Sequence, residues 1–190
     1  MGIPRIDTGP MTVEEFYAFT DARPDEEKWE LIDGEAVLNG SPARRHQRIL
    51  QNLVFALTIE ERRSSAPWMA IPGIGALVSN TSRPEPDVMI LPDRPDDPTA
   101  RDTNEAIVLF EIMSPSTAAR DLKWKRTAYT AIPTLTHYVV VAQDAVDVVV
   151  FARDTGFAER RLTRREDAIT FPQLGISLSL SDIYYNLDFD

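Results

Sequence analysis

The chain contains no cysteine and only two histidines, His46 and His137. Without cysteine there is no disulfide framework, no thiol nucleophile, no iron–sulfur cluster and no zinc ribbon. Two histidines are too few for a histidine-built zinc centre. Lysine is nearly as scarce: Lys28, Lys123 and Lys125 are the only three, so arginine supplies almost all of the 20 basic residues. No apolar run approaches the roughly 20 residues that cross a bilayer. The opening MGIPRIDTGP lacks the apolar core of a signal peptide. A soluble, cytoplasmic protein with no membrane partner is the expectation. Positive charge is short as well, and the net charge is −10. That excludes a protein that coats nucleic acid by bulk electrostatics, because such binding scales with the cations that neutralise phosphate. A small site acting on nucleic acid stays open, and carboxylates gathered around a cation would themselves create an acidic surplus.

What is present is ordinary globular composition. The 190 residues are 43% apolar and 26% charged, which fits one domain able to bury roughly 70% of its unfolded surface. No repeat, low-complexity tract or linker divides the chain. Thr12 and Glu15 have capping-box spacing ahead of an apolar stripe at Phe16 and Phe19, which predicts a helix. Residues 29–38, WELIDGEAVL, read as a hairpin about Asp33-Gly34, a strong two-residue turn signal. Ser41-Pro42 reads as an N-cap and first-turn proline, opening a helix from 43 to 63 with Ile49, Leu50, Leu53, Val54 and Leu57 on its buried face. Strand signals follow at 68–71, 74–79 and 87–91, then a polar loop over 92–105. AIVLFEIM at 106–113 is apolar on both faces and should be a central strand. Ser114-Pro115 stops it, and a helix spans 117–131, ahead of Pro133. Residues 137–142 and 146–152 are two further strands paired across a short turn. One or two more strands precede a short helix beginning near Ser181. This order predicts an α/β or α+β domain, a mixed sheet with helices packed against it.

Three stretches hold residues that packing alone does not explain. Glu111 sits mid-pattern in the apolar strand, sharing a face with Ile107, Leu109 and Met113. A carboxylate there costs several kcal/mol, about the penalty of any buried charge, unless a cation or strong donors compensate it. A metal ligand or catalytic carboxylate is the sharp reading; a strand-end glutamate bonded to a loop is the plain one. Asp87 follows Pro86 and opens the strand at 87–91. If that strand runs antiparallel to 106–113, Asp87 and Glu111 meet at one edge; taken alone, Asp87 reads as a turn residue. On the helix after Glu111, Asp121, Lys125 and Tyr129 share a face, while Lys123 points roughly the opposite way. A solvated Asp121–Lys125 pair is the plain reading. Against it stands the rarity of lysine, whose compact ammonium does work that a delocalised guanidinium does not. Two carboxylates suit Mg²⁺ or Mn²⁺, and a neighbouring ammonium suits the charge that builds up in phosphodiester hydrolysis.

Other polar groups have bland readings beside functional ones. Arg44, Arg45, His46 and Arg48 open the long helix. They read as an exposed polar face, or as contacts to a substrate phosphate through His46 and Arg44. Arg160, Arg161, Arg164 and Arg165 lie among acids and read as solvated surface. Trp124 reads as core or a dimer contact.

Pro86-Asp87, Glu111 and a lysine displaced onto the next helix resemble the PD-(D/E)XK nuclease superfamily. More closely, the chain is similar to the Uma-type family of restriction-endonuclease-like proteins, formerly a domain of unknown function. The resemblance rests on Trp29-Glu30-Leu31-Ile32-Asp33-Gly34-Glu35, Ser41-Pro42 with His46, Pro86-Asp87-Val88, and Glu111-Ile112-Met113-Ser114-Pro115-Ser116. It continues through Arg120-Asp121, Lys125, Tyr129 and the His137–Val141 strand. It implies a single restriction-endonuclease-like domain over 11–186 after an N-terminal tail at 1–10. It further implies a Mg²⁺- or Mn²⁺-dependent endonuclease, a hydrolase of phosphodiester bonds acting on nucleic acid, DNA in the first instance. Asp87 and Glu111 would be the metal ligands, Lys125 the catalytic lysine and Glu30 an additional acidic catalytic residue. Where the superfamily has lysine two residues after the glutamate, this chain has Met113. A homodimer is expected by analogy, since cutting two strands favours two sites about a dyad. Two alternatives remain: a catalytically silent nuclease fold kept for binding or assembly, and a phosphoesterase acting on a small phosphorylated molecule.

Overall fold

The computed structural model describes residues 9–64, 67–95, 97–113 and 118–189, the side chains of 118–122 excepted. Ser114-Pro115-Ser116 and most of the 1–10 tail therefore lie outside the described residues. Helix α1 (Val13–Asp21) begins as its capping box requires: the Glu15 amide donates to Thr12 Oγ1 and the Thr12 amide to the Glu15 carboxylate. Strands β1 (Lys28–Ile32) and β2 (Glu35–Asn39) form the expected hairpin. Asp33 and Gly34 both take positive φ, 49° and 82°, as a two-residue turn with the right twist demands. Helix α2 spans Arg44–Ser64. It starts one residue later than Ser41-Pro42 suggested: the Ala43 carbonyl accepts from Gln47 N, so the cap position falls on Ala43.

Strands β3 (Trp68–Pro72), β5 (Val88–Pro92), β7 (Val108–Met113), β8 (His137–Ala142), β9 (Val148–Ala152) and β10 (Glu159–Leu162) make one mixed sheet in the order β10-β9-β8-β7-β5-β3. Within this sheet only β7 and β8 pair in parallel. A parallel pair needs a crossover, and helix α3 (Ala118–Thr130) supplies it. The 74–79 strand signal is cut to β4 (Gly75–Ala76), which pairs with β6 (Asp102–Thr103) inside the polar loop. Its extension fails because Val78 N and Ser79 N bond back to the Ser82 carbonyl and turn the chain. After β9 come β10 and then the hairpin β11 (Ala168–Phe171) and β12 (Ile176–Ser179), three strands where one or two were expected. The fold closes with helix α4 (Leu180–Ile183), capped by Ser179.

Strand alternation sorts the sheet into two faces. Val108, Phe110 and Ile112 join Val88, Ile90, Val139 and Val141 under Ile49, Leu53 and Leu57 of α2, with β11, β12 and α4 completing that layer. Leu109, Met113, Met89, Tyr138 and Phe151 lie on the opposite face with Tyr129 and Ile132 at the α3 end. Glu111 has the parity of this second face. A third cluster, Met11, Phe16, Trp29, Leu31 and Ala36, seats α1 on the β1–β2 hairpin. No helix among the described residues is long and apolar enough to cross a membrane.

Candidate active site

β5 and β7 are antiparallel neighbours with Val88 opposite Phe110. That register places Asp87 beside Glu111 at one end of the sheet. The Ile112 amide donates to Asp87 Oδ2 at 2.6 Å, so the strand end that follows Glu111 is tied to the residue that precedes β5. Glu111 is buried, 7% exposed. Its Oε1 accepts from the Lys125 ammonium at 2.8 Å and from the Tyr129 hydroxyl at 2.8 Å. Lys125 and Tyr129 lie one helical turn apart on α3, the i,i+4 relation that puts both over the same spot.

Glu30 completes the cluster. It is 4% exposed, although a glutamate in a hairpin is ordinarily solvated. Its Oε1 accepts from Lys125 Nζ at 3.1 Å and from the Glu85 amide at 2.8 Å. The second contact arises because residues 82–85 run beside β1, where Leu31 and Arg83 exchange backbone hydrogen bonds. β1, the start of β5, β7 and α3 thus each contribute one charged group. Lys125 takes these carboxylates, while the Asp121 side chain of the surface-pair reading lies outside the described residues. Lys123 is exposed, as the helical geometry requires.

His46 corrects the exposed-face reading. Its side chain is 17% exposed and its Nε2 lies 3.1 Å from Asp87 Oδ1. Its Nδ1 is buried without a partner among the described residues. Arg44, two residues earlier, is exposed at the start of α2. Trp124 is neither core nor a bare surface group: it is half-buried, and its indole N–H donates to Asp33 Oδ2 at 2.7 Å. Among the C-terminal arginines, Arg161 pairs with Asp147 and Arg164 with Glu166. Arg165 donates to the carbonyls of Tyr184 and Leu187. Tyr129 was visible in the sequence only as a face-mate of Lys125; its hydrogen bond to Glu111 was not.

The electrostatics follow from burial and imbalance. Burial pushes the Glu111 carboxyl up to about 7; Lys125 pulls it back, and Asp87 and Glu30 push it further up. For Lys125, burial works against the charge, but Glu111 and Glu30 outweigh it and hold the ammonium well above its ordinary range. Burial, with the nearby carboxylates, also raises the Tyr129 hydroxyl. Lys125 is therefore a cation at neutral pH, facing more carboxylates than it can neutralise. Two hard oxygen donors, Asp87 and Glu111, in a site with surplus negative charge fit a small divalent cation that keeps several waters. Among the described residues no set of three or more His, Asp or Glu side chains is placed to hold a metal, so water would have to fill the remaining positions.

The Glu111 shift has a pH consequence in the metal-free protein. Its folded value lies above its ordinary 4.5, so the contribution of Glu111 to stability is fully present below pH 4.5. It is lost as the pH rises through about 7, because there the folded protein must give up a proton that the unfolded chain released earlier. Denaturant unfolding in EDTA should show this fall across the window, and Glu111→Gln should flatten it. A wild-type profile no steeper than that of Glu111→Gln refutes the assignment.

A family model, Uma2, described as "Putative restriction endonuclease", matches residues 13–181. No curated protein matches the chain. A solved structure described as a "putative nuclease belonging to DUF820" from Anabaena variabilis superposes with a TM-score of 0.72 at 15% identity. The alignment covers 92% of this chain and 97% of that one. At that identity the likeness bears on the fold alone, and the two chains share it.

Proposed function

This chain belongs to the Uma2 family, and from that premise we propose that it is a metal-dependent endonuclease hydrolysing phosphodiester bonds of nucleic acid, DNA in the first instance. The observation that carries the reading is Lys125, a side chain only 12% exposed, its ammonium 2.8 Å from Glu111 and 3.1 Å from Glu30, at the edge where Asp87 lies opposite Glu111. A purely structural core has no use for that many charges in one place, since an apolar set of similar volume is as stable or more so.

Asp87 and Glu111 would hold Mg²⁺ or Mn²⁺. When bound, the ion would lower the pKa of a water and offset phosphate charge. Lys125 stays protonated, so it acts as a donor and positive charge beside the phosphate oxygens and not as a base. Glu30 and Tyr129 hold Lys125 and Glu111 in place. His46 steadies Asp87 through Oδ1. Arg44, exposed at the same end of α2, would meet a flanking phosphate. A homodimer would present two such clusters to two strands.

The test is cleavage of plasmid, single-stranded DNA and RNA with Mg²⁺, with Mn²⁺ and with EDTA. Cleavage that stops in EDTA and returns on adding metal is the expected result. Absence of cleavage under every metal condition, or cleavage indifferent to EDTA, overturns the reading and leaves the silent binding module in its place.

A further inference from the structure

Asp33 stands at the tip of the β1–β2 hairpin with both carboxylate oxygens engaged. Oδ2 accepts the Trp124 indole N–H at 2.7 Å. Oδ1 accepts the Ser82 hydroxyl at 3.3 Å, and Ser82 Oγ in turn accepts the Asp33 amide at 3.0 Å. The tip is tied to the chain on both sides. Gly34 N donates to Thr81 O at 2.8 Å, Met11 N donates to Gly34 O at 2.8 Å, and Leu31 and Arg83 exchange bonds at 3.2 and 2.8 Å. Asp33 is a fixed post against which another element can be set.

The element set against it is α3. Trp124 and Lys125 are successive residues, so their side chains leave the helix axis about 100° apart. Fixing the direction of one fixes the rotation of the helix, and with it the direction of the other. Further along, Arg126 donates to Phe157 O at 2.8 Å and Tyr129 is buried, which anchors the C-terminal half of the helix to the sheet. The Trp124 contact is the tie on the hairpin side. An indole offers one donor and no acceptor, which suits a permanent acceptor such as the Asp33 carboxylate; packing at a half-exposed position does not call for it.

We propose that Trp124, through its hydrogen bond to Asp33, is a positioning residue that sets the rotation of α3 and so holds the Lys125 ammonium against Glu111 and Glu30. Its catalytic consequence rests on the nuclease reading; the geometric claim does not. Site-resolved acylation of the full chain by acetic anhydride, read by mass spectrometry, tests it, because exposed Lys123 on the same helix is an internal reference. Trp124→Phe keeps an aromatic ring, though a smaller one, and loses the donor. It should raise the Lys125:Lys123 labelling ratio about fivefold, the population change expected from losing one ordinary hydrogen bond. Asp33→Gly keeps the positive φ, removes the acceptor and should do the same. Asp33→Asn keeps both an acceptor oxygen and a residue that tolerates positive φ, and should retain the wild-type ratio.

An unchanged ratio in Trp124→Phe, or a rise shared equally by Lys123, overturns the proposal. Cleavage by the same variants separates the two claims. If wild type cleaves, kcat should fall in Trp124→Phe with KM unchanged and stay at the wild-type value in Asp33→Asn. If wild type cleaves nothing while the labelling ratio still moves, the positioning role stands and the nuclease reading falls.

Discussion

Replacing Lys125 by alanine should abolish cleavage and lower stability by about 3–5 kcal/mol, the range for removing one partner of a buried ion pair. The magnitude follows from what is left behind. Lys125 Nζ is shared between Glu111 and Glu30, both nearly inaccessible to water. Without the ammonium they confront each other with Asp87 nearby, and Glu111 should titrate still higher. Lys123→Ala should be neutral within about 0.5 kcal/mol, as surface changes usually are, and should cleave like wild type. Lys125→Arg should fold yet cleave tens of times more slowly, since a misplacement of about 1 Å can cost roughly 100-fold. Denaturant midpoints and initial cleavage rates supply the readouts. A Lys125→Ala protein as stable as wild type, or equal losses at 123 and 125, would mean that the lysine acts by bulk charge and that the cluster is not the site.

Asp87→Asn should reduce Mn²⁺ affinity at least about 100-fold, because even outer-shell changes cost roughly 10–100-fold and a direct ligand costs no less. Asparagine is the informative choice. The Ile112 amide donates to Asp87 Oδ2 at 2.6 Å, and alanine would leave that buried N–H without a partner, confusing metal loss with unfolding. An amide oxygen can still accept it, so the fold should hold while the charge is lost. Titration calorimetry with Mn²⁺ on the folded variant decides the matter. Equal affinity in wild type and Asp87→Asn would remove Asp87 from the ligand set, and with it the metal-dependent mechanism.

Local chemistry was enough to read most elements from the chain. The Thr12–Glu15 box, the Asp33-Gly34 turn and the two-faced apolar strand at 106–113 each carry their conformation in a few neighbouring residues. A capping hydrogen bond, a positive φ and a period of two need no distant partner. The same locality misplaced the start of α2, where Ser41-Pro42 offered a cap that the backbone did not take. It also overextended the strand at 74–79, where bonds to the Ser82 carbonyl, decided by a turn, won over apolar content.

The site divides along the same line. Glu111 could be picked out because a charge inside an apolar strand is costly wherever the strand packs. Lys125 could be picked out because lysine is rare here, and its separation from Lys123 follows from helix geometry. Asp87 depended on an antiparallel pairing that the sequence could only pose as a condition, and the Val88–Phe110 register meets it. Glu30, His46 and Trp124 could not be placed from their neighbours: Glu30 entered only through the family resemblance, His46 read as an exposed face or a phosphate contact, and Trp124 as core or a dimer contact. Glu30 is buried only because residues 82–85 run beside β1, His46 is half-buried because the start of α2 lands on Asp87, and Trp124 is tied down only because α3 crosses the hairpin tip. Contacts across some 41 to 95 positions of chain are chosen by the packing of whole layers, and no local pattern encodes them.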